Sequence, residues 1–185
     1  MTLPDILAIS AIVLILVFFF NFDYHARKFG VSTSHSSRIA CRVILQEIEN
    51  LFPRDAKIII TDPGCGSGGL ARAIARHFPN AQVTGLELSP LPYWTGRVRL
   101  ALSGLRNAHL LSQDFFAYDL SASDIVVTFL PAPVLARLEP KLKKEMKPGT
   151  ILLSNAFRMP EGWTPYKTLP LEKILKRQLY CYRIT

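Results

Sequence analysis

The sequence predicts an α/β fold, a mostly parallel sheet with helices on both faces, and three observations carry that prediction. Apolar runs of strand length alternate with amphipathic helical patterns from Arg38 to the C-terminus. A glycine-rich turn, Asp62-Pro-Gly-Cys-Gly-Ser-Gly-Gly69, joins the first such run to the helix after it. A charge-free stretch from Ile6 to Phe20 stands apart at the N-terminus, and its run Ala11 to Phe20 is apolar all the way round, which suits lipid better than a domain surface. Together they describe a Rossmann-like sheet of the seven-strand type preceded by one N-terminal transmembrane helix.

Residues 1–22 are read as the anchor: Leu3 to Phe22 approaches the roughly 20 residues needed to cross a bilayer, and a short span can be accommodated. A cleaved signal peptide would carry basic residues ahead of the apolar run and a small-x-small site behind it. This chain has Asp5 ahead and Asn21-Phe-Asp-Tyr24 behind. Arg27, Lys28, Arg38 and Arg42 follow, so the positive-inside rule places the large domain on the cytoplasmic side, the matrix side in a mitochondrion. Residues 23–37, polar and rich in Ser and Thr, form a linker whose end caps a helix over Arg38 to Leu51, and residues 38–185 form a single domain.

Within that domain Lys57 to Thr61, centred on β-branched Ile58 to Ile60, reads as a buried strand, and Leu70 to Phe78 as the helix after the glycine turn. Strands Gln82 to Glu87, Ala108 to Leu111, Asp124 to Leu130 and Thr150 to Asn155 follow, with helices over Pro92 to Ser103 and Val134 to Met146 and a last strand near Leu179 to Ile184. Pro148-Gly149 is a helix stop, and Pro140 predicts a kink or a break within its helix. No internal repeat or low-complexity segment is present.

The glycine turn carries the chemistry. Glycines remove the Cβ atoms that keep backbone away from a ligand, and the amides at the start of the following helix then face it. Gly64, Gly66 and Gly69 satisfy a Gly-x-Gly-x-x-Gly pattern that serves nicotinamide cofactors and S-adenosylmethionine alike. Their neighbours separate the two. Asp62, just before the glycines, suits the ammonium group of S-adenosylmethionine and would repel a pyrophosphate. Glu87, at the end of the second strand, suits a pair of ribose hydroxyls in either cofactor, with Leu88 beside it. Asp114, followed by Phe115 and Phe116, suits an adenine amino group against an aromatic wall. The expected cofactor contacts are therefore Asp62, Gly64, Cys65, Gly66, Gly68, Glu87, Leu88, Asp114, Phe115 and Phe129, with Cys65 equally suited to filling tight space in the turn. Each acid taken alone is also an ordinary cap or turn former.

This order of acids at successive strand ends resembles the class I S-adenosylmethionine-dependent methyltransferases. Further along, Phe129-Leu-Pro-Ala-Pro133 through Leu142, Leu152-Leu-Ser-Asn-Ala-Phe-Arg-Met-Pro160, Trp163-Thr-Pro165 and Gly85-Leu-Glu-Leu-Ser-Pro90 are similar to the small membrane-anchored mitochondrial lysine methyltransferases that act on the ATP synthase c subunit and the adenine nucleotide translocase. The likeness runs from about Ser34 to the C-terminus. Gly69-Leu70 stands where that family tends to have an acid and an arginine, and Phe115-Phe116-Ala117 replaces a Leu-Trp-Lys pattern. The resemblance implies methylation of a lysine on an integral membrane protein. Phe129, Pro131, Asn155 and Trp163 are the expected catalytic group, in an aromatic mouth that Leu130, Phe157 and Tyr166 would complete. Asn155 and Glu161 are the polar candidates for handling the amine, and each aromatic is equally suited to ordinary core.

Composition narrows the partners. The net charge of +8 suggests an anionic surface, and the anchor favours a lipid bilayer over nucleic acid, for which no aromatic-basic motif is present. The Phe129-Leu-Pro-Ala-Pro133 run, in place of Asn/Asp-Pro-Pro-aromatic, also speaks against nucleobase methylation. Cys41, Cys65 and Cys181 are odd in number and far apart, and the four histidines lack metal-ligand spacing, so neither a disulfide framework nor a metal is expected. The rival functions are a lipid or quinone methyltransferase, a nicotinamide-dependent oxidoreductase and a silent cofactor-binding scaffold.

Overall fold

Ser37 accepts the Ala40 amide on its Oγ at 3.1 Å, which caps α1 (Arg38–Leu51) and turns Ile44 and Ile48 into the core. The computed structural model describes residues 37–172 and 176–185, with Asp5, Ser10 and Val13 as isolated positions before them. The anchor expected over residues 1–22 and most of the 23–37 linker lie outside the described residues. Among those described, no helix is long and apolar enough to cross a membrane.

The remaining elements are β1 (Ile59–Pro63), α2 (Gly69–His77), β2 (Gln82–Leu86), α3 (Pro90–Ser103), β3 (Ala108–Leu111), β4 (Ile125–Thr128), α4 (Ala132–Glu145), β5 (Ile151–Asn155), β6 (Lys167–Glu172) and β7 (Arg177–Arg183). They form one sheet in the order β3-β2-β1-β4-β5-β7-β6. The strands from β3 to β5 pair parallel, and β7 runs antiparallel to both β5 and β6. Connections run outward in opposite directions from β1 and β4, so a crevice opens at the carboxyl ends of those two strands, where such sheets bind ligands. Asp124 fixes their stagger by accepting the Ile59 amide at 2.7 Å.

Both sheet faces are covered, and the strands are apolar on both sides for that reason. Ile60, Ile74, Phe78, Val83, Ile125, Val127 and Leu153 pack under α1 to α3. Val126, Leu152, Leu135, Leu138, Leu142 and Tyr182 pack on the other face, under α4. No helix joins β3 to β4, so on that second face His109 and Leu111 of β3 are exposed while Ala108 and Leu110 on the first face are buried. Asn107 seals the end of α2 by directing its side-chain amide at the carbonyls of Ala75, Phe78 and Ala81, each at 3.0 Å.

The structure departs from the sequence reading at two places. Of the kink or break expected at Pro140, the break does not occur: α4 runs through it, with Leu138 and Leu142 fully buried on either side. Pro140 and Ala136, whose carbonyl loses its donor, both lie on the exposed side of α4, where water replaces the missing bond. The second is β6, a strand that lies outside the predicted elements. It is the outermost strand, a place that tolerates Pro170, and it carries a register shift between Pro170 and Glu172.

Candidate active site

The chain leaves β1 through a turn held open by backbone conformation. Gly64 and Gly66 have φ of 74° and 56°, in the left-handed region that a Cβ disfavours. A side chain at Gly64 would also lie 2.8 Å from Leu130, which follows β4. The Gly64 and Cys65 amides both donate to the Leu86 carbonyl at 2.8 and 3.0 Å, so the turn is laced to the end of β2. Glu87 completes the lacing: Oε2 accepts the Gly66 amide at 3.0 Å and Oε1 the Ser89 amide at 2.7 Å. Each carboxylate oxygen keeps a free acceptor site for a hydroxyl pair.

Beneath the turn Leu110 fills a hollow made by glycines. A Cβ added at Gly68, Gly85 or Gly96 would come within 2.9, 2.6 or 2.8 Å of its methyl groups, so turn, β2 and α3 close around one side chain. Cys65 belongs to this packing, its Sγ lying 2.7 Å from where a Gly85 Cβ would stand. Burial, then the nearby Asp62 and Glu87 charges, push its thiol well up. Cys65 and Gly68 thus both contribute to the shape of the turn.

Asp62 lies at the floor, 4% exposed. No described residue gives its carboxylate a hydrogen bond or an ion pair. Burial, and then the neighbouring Glu87, raise its pKa to about 8. A buried carboxyl without a cation is the complement of an ammonium group.

Above it, Gly64, Glu87, Leu88, Ser89, Asp114, Phe115, Phe116 and Arg137 surround about 430 Å³ of empty space, part of it open to solvent. Asp114 accepts the Phe116 amide on Oδ1 at 2.9 Å, a turn that sets both phenylalanines against the pocket with ring centroids 4.7 Å apart. The Arg137 guanidinium, from α4, lies 4.8 Å from the Phe116 centroid. Glu87, Leu88, Asp114 and Phe115 therefore meet as the sequence predicted. Ser89, Phe116 and Arg137 join them, and only Phe116 carried a sequence signal, its place after Asp114.

Of the expected catalytic group, Phe129, Pro131 and Asn155 stand at the ends of β4 and β5 and the start of α4. Phe129 and Phe157, leaving the adjacent strands β4 and β5, face one another at 6.0 Å between centroids. Asn155, the last residue of β5, is 2% exposed, and Ser154 donates to the Phe157 carbonyl at 2.6 Å, which fixes that turn. Pro131 caps the start of α4. The Trp163 Nε1 donates to Glu139 at 3.0 Å and its ring meets Tyr182 edge-on at 5.7 Å, in the packing under α4 to which Phe157 also belongs. Tyr166 is drawn to α1 by a 3.3 Å bond to Glu47, and Glu161 is exposed in a turn.

Residues 62–167, from the buried acid through β4 and β5 to the start of β6, match the ANTKMT methyltransferase domain. The chain belongs to the ANTKMT methyltransferase domain family. A protein-lysine N-methyltransferase of Saccharolobus islandicus is 32% identical over 120 residues, covering 62% of this chain and 71% of that protein. A trans-aconitate 2-methyltransferase of Methylobacterium radiotolerans is 34% identical over 112 residues, covering 60% of this chain but 41% of its own length. Among solved structures, an RNA methyltransferase of Salinibacter ruber in complex with S-adenosyl-L-homocysteine superposes with a TM-score of 0.67 at 24% identity, over 77% of this chain and 91% of that one. Similar scaffolds thus serve very different acceptors.

This ANTKMT-type domain is an S-adenosylmethionine-dependent methyltransferase. Its residues fit the cofactor: the unpartnered Asp62 carboxylate suits the amino group, the free acceptor sites of Glu87 suit ribose hydroxyls, and Asp114 with the two phenylalanines suits adenine.

Proposed function

We propose that this chain methylates the side-chain nitrogen of a lysine on a membrane-associated protein. The lysine acceptor is supported above all by the 32% identity with the Saccharolobus enzyme, of which this chain covers 71%. The membrane setting is supported by the apolar, charge-free run from Ile6 to Phe20.

Bound S-adenosylmethionine supplies a methyl group on a sulfonium, an electrophile that needs no further activation. The rest is positioning and desolvation. An in-line displacement requires the acceptor nitrogen at a near-attack distance on the axis of the bond being broken, and fixed backbone achieves this better than flexible side chains. Here the glycine turn is laced to β2 by Leu86 and Glu87, and the Phe129–Phe157 pair stands at the neighbouring strand ends. A lysine with an ordinary pKa near 10.4 must lose a proton before it can attack, and an apolar aromatic mouth that strips water from it lowers that cost. Asn155, at the end of β5, would orient the amine through its side-chain oxygen.

The test is transfer of radiolabelled methyl groups by the full chain into membrane fractions, followed by separate lipid extraction and protein hydrolysis. Label recovered as methyllysine supports the reading. Label recovered only in extracted lipid or quinone overturns it.

A further inference from the structure

Helix α3 has apolar side chains on two opposite faces. Its inner face buries Gly96 and Leu100 against the Leu110 side of the sheet. Its outer face presents Leu91, Trp94, Val98 and Leu102, which are 44, 64, 58 and 83% exposed. Successive spacings of three, four and four residues place them on one stripe along the helix. Isolated exposed apolar residues are common, but a continuous stripe of four, one of them an indole, marks a contact surface.

The charges around the stripe indicate what covers it. At 100° per residue Arg97 and Arg99 fall on opposite sides of it, and both are exposed. From Leu88 to Gln113 there is no acidic residue, while Arg97, Arg99 and Arg106 are all basic. An apolar stripe with a tryptophan, fringed by arginine and free of acid, is the pattern of a helix lying in a lipid interface. Indole prefers the headgroup level, and arginine reaches phosphate from there. The described domain begins after a segment containing the apolar run Ala11 to Phe20 and Arg27 and Lys28, so the stripe would have a bilayer within reach of its own chain.

We propose that the outer face of α3 docks on the surface of an anionic bilayer, with Trp94, Val98 and Leu102 at the headgroup and acyl boundary and Arg97 among the phosphates. The site is oriented by this contact. Ser89, whose amide Glu87 holds at 2.7 Å, is the N-cap of α3, and Leu91 follows in its first turn, so the stripe starts at the rim of the cofactor pocket. Docking along α3 brings that rim to the membrane plane, where a lysine close to the bilayer on an embedded protein can reach it. The inference shares only its membrane location with the proposed function and is indifferent to the identity of the acceptor.

The chain contains two tryptophans, and Trp163 is half-buried against the packing under α4, so a Trp163→Phe background leaves Trp94 on α3 as the one indole to report. The full-length protein is incorporated into phosphatidylcholine vesicles with or without phosphatidylserine, and quenching by lipids brominated along the acyl chain is measured together with S-adenosylmethionine binding. The expected result is a blue shift with strong quenching in the anionic vesicles, abolished in Trp94→Phe and reduced several-fold in Arg97→Glu or at high salt. Trp94 that stays open to acrylamide and untouched by brominated lipid in vesicle-bound protein would overturn the proposal. So would shielding of Trp94 that needs no vesicles and depends on protein concentration, which would make the stripe a contact between protein copies. Loss of cofactor binding with quenching intact would count against the proposed function and leave the docking inference standing.

Discussion

Glu47 on α1 and Lys167 on β6 form an ion pair of 2.5 Å around a carboxylate that is 1% exposed. Tyr166 donates to the other carboxylate oxygen at 3.3 Å, and the Asn50 amide adds a bond at 3.3 Å. This is the polar link between the first helix and the outer strand. The partners are unequal, because Lys167 is 39% exposed and can turn to water while Glu47 cannot. Lys167→Met should therefore destabilise more than Glu47→Gln, by about 3 kcal/mol, the lower end for a broken buried pair. Glu47→Leu combined with Lys167→Met should recover most of that loss, as measured by urea denaturation.

Asp62 makes stability depend on pH in the direction opposite to an ordinary ion-paired carboxylate. Its folded pKa of about 8 lies above the ordinary aspartate value of 3.8, so the folded state binds the extra proton. Stability of the cofactor-free protein should therefore fall as pH rises from about 4 to about 8. Asp62→Asn should flatten that slope and raise the melting temperature at the alkaline end while abolishing cofactor binding. Calorimetry in buffers of different ionisation enthalpy should also detect proton release when the wild type binds S-adenosylmethionine near neutral pH, because an ammonium favours the ionised acid.

Phe129 and Asn155 are expected to act on the acceptor side of the site. Phe129→Ala or Asn155→Ala should lower kcat by roughly 10- to 100-fold while changing S-adenosylmethionine affinity little, the signature of lost positioning. Steady-state kinetics with calorimetric titration of the cofactor separates the two effects. An affinity loss as large as the kcat loss would move both residues to the donor side.

Trp163 makes the contrasting case. Trp163→Phe removes the bond to Glu139 and should cost about 1 kcal/mol of stability. Turnover measured well below the melting transition should be unchanged, because the side chain is committed to packing with Tyr182.

The acids at the strand ends were legible because their chemistry is local: Asp62, Glu87 and Asp114 each follow an apolar run within a few residues. The parallel core was legible for the same reason, since β-branched runs between amphipathic helices admit few arrangements. Element ends shifted by a residue or two, as with β1, which begins at Ile59 because backbone pairing, not side-chain type, ends a strand. Arg137 was invisible as a pocket residue, being one of several basic residues on α4 until the fold sets it over Phe116. Trp163 and Phe129 look alike in sequence, because an aromatic residue two places before a proline suits a core and a mouth equally well. Gly85 read as an ordinary strand residue, and its role depends on Leu110 and Cys65, neither of them near it in the chain.

The hollow around Leu110 also constrains how this chain can change over generations. Gly68, Gly85 and Gly96 come from a loop, a strand and a helix, yet all three leave room for the same side chain. Any relative with a larger residue at position 85 should carry a smaller one at position 110 or 65, and a larger residue at 96 calls for the same change at 110. These positions are expected to drift together or not at all, a linked set that extends the glycine fingerprint well beyond the turn where it is usually sought.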